Sequence, residues 1–187
     1  MKAGIHFLYR FLSEGLPLLL SVLPIYILLR WQTLFPMERT RRIHRRIDWY
    51  RESLLLLLFS YLVLLFVQTF LIPGDENLIE LIPFKVIVVQ VIESFQSSEG
   101  YEAFLFNILG NIAVFVPIGY LVSKLNGGDF QRTVITGFGI SLFIEVMQLP
   151  LNRTSDVDDL ILNTTGAVIG FYCSQFWTYL HEQQHKQ

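Results

Sequence analysis

This chain is short of the groups that soluble chemistry uses. Only 16% of its 187 residues are charged, against roughly 25% in an ordinary soluble domain. A single cysteine, Cys173, excludes an intramolecular disulfide and a thiolate metal cluster, and in its apolar run it reads as a small packing residue. The four histidines, His6, His44, His181 and His185, lie in the terminal segments or in an arginine-rich stretch. No phosphate-binding glycine loop, no dinucleotide fingerprint, no zinc-protease HExxH and no GxSxG elbow is present. These gaps leave no cofactor and no metal to assign.

What is present is apolar. Hydrophobic residues make up 52% of the chain, 16 of them Phe, and the mean hydropathy is +0.47. Long uncharged runs of about 20 residues suit helices that cross a bilayer. The first covers residues 16–29, and Arg30 and Trp31 follow where a signal peptidase would need small residues, so it reads as a retained span. Further spans are expected at 53–72, 103–125, 132–149 and from 156 or 157 to 180. The segment 82–92 is apolar but too short to cross, and reads as an interfacial or re-entrant element on the outer face. Residues 1–15 suit a short interfacial helix. The fold class expected is all-α: a polytopic transmembrane bundle of about five spans forming one integral membrane domain over residues 1–187.

Charge sets the orientation. Ten of the 14 Lys and Arg residues fall on one side of such a bundle, seven of them between Arg30 and Arg51, and Lys2, Arg10, Lys85 and Arg153 on the other. The positive-inside rule then puts the amino terminus outside and the carboxyl terminus in the cytoplasm. The arginine stretch is explained by that rule. Contact with anionic lipid headgroups is a second reading of it, ahead of nucleic acid, which is not expected as a partner.

The polar residues gather at the outer ends of the last three spans. Asn107 and Asn111 are four apart and share a helix face, as do Glu145 and Gln148, three apart near the close of their span. Asp156, Asp159, Asn163, Gly166, Gly170 and Ser174 form one stripe on the last helix, polar outside and small within. Ionisable groups beside a membrane core are functional candidates by default. Glu145 and Asp159 are the candidate acid/base groups. Asn107, Asn111, Gln148, Arg153, Asp156 and Asn163 are the candidate binding groups, with Arg153 suited to a phosphate or carboxylate. Each has a structural reading beside it. Amides serve as interhelical glue, Glu145 pairs with Arg153 to pin a loop, and Ser155 with Asp158 forms a capping box at the start of the last helix.

These residues lie in a run of ordered motifs: Leu81-Ile82-Pro83-Phe84-Lys85, Asn107-Ile108-Leu109-Gly110-Asn111, Phe115-Val116-Pro117-Ile118-Gly119, Ile144-Glu145-x-x-Gln148, and Arg153-Thr154-Ser155-Asp156-Val157-Asp158-Asp159 continuing to Asn163-Thr164-x-Gly166-Ala167. In them the chain resembles the VanZ-like family of membrane proteins over residues 81–171. Glu80 departs from the asparagine frequent there, and the first span and arginine stretch lie outside the similarity. The founding member of that family is associated with lowered susceptibility to teicoplanin, a lipid-bearing glycopeptide. The resemblance implies a bacterial cytoplasmic-membrane protein whose partners are membrane lipids, a lipid-linked wall precursor or a lipoglycopeptide. A structural or regulatory subunit without catalysis is the competing expectation.

Overall fold

The computed structural model describes residues 13, 15–34, 47–70, 79–80, 82–149 and 155–184. They are almost entirely helical. In chain order they form α1 (Leu16–Leu34), α2 (Trp49–Phe70), β1 (Ile79–Glu80), α3 (Lys85–Ser94), α4 (Ser98–Phe104), a π-helical turn (Leu105–Leu109), α5 (Gly110–Leu125), α6 (Phe130–Gln148), β2 (Ser155–Asp156) and α7 (Val157–Gln184). They divide into two compact units, residues 1–72 and 73–187. The expected interfacial helix at the amino terminus and most of the arginine stretch lie outside the described residues.

In the first unit, α1 and α2 form an antiparallel hairpin. Tyr26 stacks on Phe59 with ring centroids 4.3 Å apart, and Arg30 grips both carboxylate oxygens of Glu52 at 2.6 and 2.7 Å. No residue of α1 is buried, and Leu16, Leu20, Leu28 and Leu29 are exposed.

In the second unit, α5 and α6 are joined by a tight turn. Gly127 and Gly128 take positive φ values of 75° and 81°, which glycine adopts at little steric cost, and Asp129 caps α6 by accepting from the Arg132 N–H at 2.9 Å. The chain then returns so that α7 runs parallel to α5 and antiparallel to α6. Glycines set the spacing. A Cβ at Gly166 or Gly170 would overlap the backbone carbonyl of Ile112 or Val116, and one at Gly119 that of Ala167, so α5 and α7 touch backbone to backbone.

Burial on α6 is inverted relative to a helix of a soluble bundle, while α5 and α7 bury Phe115, Ile118, Leu121, Leu162 and Phe171 beside their small and polar residues. The face that α6 buries is Thr133, Gly137, Ser141, Glu145 and Gln148, while Ile135, Phe138, Leu142, Phe143 and Val146 are exposed. An apolar outer face over a polar and small inner one on α6 suits hydrocarbon surroundings, where polar groups must find partners inside.

Three segments are long and apolar enough to cross a membrane: Leu16–Leu34, Trp49–Val67 and Ser98–Leu125. The third is longer than the sequence expectation because α4, the π turn and α5 run on without a break. The expected fourth and fifth spans are present as helices of 19 and 28 residues, but neither meets the same standard of apolarity. Their inward stripes carry the Thr, Ser, Glu, Gln, Asp and Asn that lower the average.

Candidate functional site

The start of α5, the end of α6 and the start of α7 meet at one end of the second unit, and of the polar residues singled out from the sequence Asn107, Asn111, Glu145, Gln148, Asp159 and Asn163 lie there. The Asn111 side-chain amide donates to Asp159 Oδ1 at 2.5 Å and to Asn107 Oδ1 at 3.4 Å, linking the π turn, α5 and α7. One turn further along α7, the Asn163 amide donates to Ser141 Oγ on α6 at 3.0 Å; both residues are buried. Because α6 and α7 are antiparallel, Glu145 and Asp159 stand one turn beyond that bond, at the same level. Glu145 is 7% exposed and Gln148 8%. A carboxyl so enclosed is expensive to keep charged without a nearby donor or cation.

The π turn has a consequence for this end. One extra residue is accommodated in the turn Leu105–Leu109, and such bulges shift the face that following residues present.

Asp156 pairs through its backbone with Glu80 in the two-residue parallel ladder that joins β1 and β2. Arg153 lies outside the described residues. Among the described residues, no three His, Cys, Asp or Glu side chains converge as metal ligands would.

One residue that belongs to this end was assigned by sequence to a different task. Asp158, 1% exposed, accepts from the backbone N–H of Phe84 and, at 3.1 Å, from that of Ile87. These are the N-cap and third helical residue of α3, so Asp158 caps a helix some 70 residues earlier in the chain as well as standing in the first turn of its own. Phe84 holds φ 64°, a left-handed conformation that costs a bulky residue about 1–3 kcal/mol and persists only where its surroundings fix it. A sequence signal did exist. The apolar run after Pro83 has Phe84, not Ser, Thr, Asp or Asn, in the capping position, so its free N–H groups need an acceptor from elsewhere.

The fold and this end together define a helical membrane protein with polar and ionisable groups drawn to one extremity of an otherwise apolar-surfaced bundle. The VanZ/LLP1 family profile matches residues 22–178, most of the chain, and the protein belongs to that family. The match takes in α1 beyond its first residues, α2 and the arginine stretch, as well as the motifs from Leu81 onward. No curated protein and no solved structure matches the chain.

Proposed function

We propose that this protein is a multi-pass component of the bacterial cytoplasmic membrane, with about five spans and its amino terminus outside. Its polar end faces the exterior and binds or acts on a lipid or lipid-linked envelope component, lowering susceptibility to lipid-bearing glycopeptides such as teicoplanin. The observation that carries this reading is the buried Glu145–Gln148 pair, level with the Asn111–Asp159 bond, at the end of an apolar-surfaced helix. Glu145 and Asp159 supply proton transfer. Asn107, Asn111, Gln148, Asp156 and Asn163 orient the polar part of the ligand, and Arg153 takes its phosphate or carboxylate. Family membership supports the link to teicoplanin.

The test expresses wild type, Glu145→Gln or Asp159→Asn at matched membrane levels in a glycopeptide-sensitive Gram-positive host. Wild type raises resistance to teicoplanin and not to tail-less vancomycin, and either isosteric variant loses the effect. Identical susceptibility of all strains and the empty vector would sink the reading. The orientation has its own test: a cysteine placed at Asn152 is labelled from outside intact cells, and protection there reverses the topology.

A specific observation favours a second reading. The Asn111–Asp159 and Asn163–Ser141 bonds each join two helices, as structural glue would. A structural or regulatory subunit keeps full activity in Glu145→Gln and loses it only where helix packing fails.

A further inference from the structure

The opposite end of the α5–α7 pair holds a cation for which the proposed function has no use. Lys124 is half-buried in the last turn of α5. Its Nζ donates to Thr178 Oγ1 at 2.6 Å and lies 5.7 Å from the centroid of the Tyr120 ring. Thr178 spends its own hydroxyl proton on the Ser174 carbonyl at 2.9 Å, so it meets the lysine as an acceptor only.

An ammonium has three hydrogens to place. One goes to Thr178, and among the described residues no carboxylate forms an ion pair with Lys124. Asp129 is turned to Arg132 at 3.3 Å. The end of α5 offers partial negative charge, but the carbonyls of Val122 and Ser123 are already taken by the N–H groups of Asn126 and Gly128. A part-buried ammonium whose partners among the described residues are one hydroxyl and one aromatic ring, with no carboxylate among them, is half of a site.

The surroundings indicate the other half. Lys124 lies at the close of the apolar segment Ser98–Leu125, where a span reaches the headgroup layer. Phe130, Tyr172, Trp177 and Tyr179 are exposed around the same end, and aromatic side chains gather at that depth. We propose that Lys124, where the end of α5 meets Thr178 of α7, binds the phosphate of an anionic phospholipid headgroup. Phosphate oxygens accept from the Nζ hydrogens not given to Thr178, and the lysine stem lies along apolar surface below. This site is independent of the polar end and of any activity there.

Trp177, adjacent to Thr178 in the chain, reports on this site once the other two tryptophans are replaced by Trp31→Phe and Trp49→Phe. The full chain is reconstituted in phosphatidylcholine vesicles with either phosphatidylglycerol or phosphatidylcholine carrying brominated acyl chains, and quenching of Trp177 gives the relative binding constant. Phosphatidylglycerol is expected to be preferred about fivefold, from about 1 kcal/mol per surface cation. Lys124→Met brings the preference to parity, and Lys124→Arg keeps it. Arg132→Gln, which removes an exposed cation at the same end, also keeps it. Parity in the unsubstituted site overturns the proposal. So does an equal loss from Arg132→Gln, which means a diffuse surface potential, and so does abolition of the preference by inorganic phosphate, which means a site for the free anion.

Discussion

The α1–α2 hairpin and the α5–α7 pair are both helical, yet they are held by different physics. In the hairpin, α1 buries nothing, and half of its leucines are exposed; an aromatic stack and an Arg–Glu pair mark the contact. In the α5–α7 pair, glycines bring backbones together and polar side chains bond across the interface. Hydrocarbon rewards a leucine as well as another leucine does, so apolar surface gives neighbouring helices little reason to associate there. Small residues and hydrogen bonds give that reason. The hydropathy signal is therefore strong in the hairpin, where α1 buries nothing, and weak in α6 and α7, whose inward faces are polar or small; the segment Ser98–Leu125 is both apolar and packed.

The sharpest way to break this comparison is to add bulk where backbones touch. Gly170→Leu should force α7 off Val116 and cost at least the upper part of the ~1–3 kcal/mol typical of overpacking. Leu28→Ala on the exposed face of α1 should stay within about 0.5 kcal/mol. Thermal unfolding in detergent or nanodiscs compares the two, and equal effects would abolish the distinction drawn here.

Next in size is Asp158→Ala, which strands the Phe84 and Ile87 N–H groups. A donor left unsatisfied costs about 1–3 kcal/mol when buried, so α3 should loosen while α5–α7 holds. Hydrogen exchange should speed up selectively over residues 84–94. Uniform acceleration across the second unit would mean that Asp158 supports the bundle rather than α3.

A double-mutant cycle of Asn111→Ala with Asp159→Ala measures the bond that links α5 to α7 at the polar end. Interhelical side-chain bonds in membranes average about 0.6 kcal/mol and reach about 1.7, and the coupling should fall in the upper half of that range. A coupling near zero would separate Asp159 from structural glue and leave it to ligand chemistry.

The smallest effect is expected for the cycle Arg30→Gln with Glu52→Gln. The pair is bidentate but part-exposed, with side chains 33% and 15% accessible, and solvent-screened pairs contribute about 0.2–1 kcal/mol. Raising the salt concentration should shrink the coupling, and an insensitive coupling would place the pair out of reach of solvent.

Legibility followed the same divide. The apolar runs at 16–29 and 53–72 announced α1 and α2, because continuous hydropathy needs no knowledge of neighbours. The polar stripes on the later helices were equally plain, since three- and four-residue spacing fixes a helix face. Thus Glu145 and Gln148 were expected to share a face, and both are buried on α6; Asn111 was expected to need a partner, and it bonds Asp159. Asp158 was readable only as a cap for its own helix. Its acceptor role toward α3 depends on which helix start lies beside it, and local sequence holds no record of that.

Sequence by itself determined that the chain is helical, apolar in surface and polar at one end of its last helices, because periodicity and hydropathy are local properties of the residues. Tertiary structure alone decided the partners: Asn111 with Asp159, Asn163 with Ser141, Asp158 with the start of α3, and Lys124 with Thr178. A hydrogen bond depends on distance and angle in space, and the residues that make these bonds stand 22 to 74 positions apart in the chain.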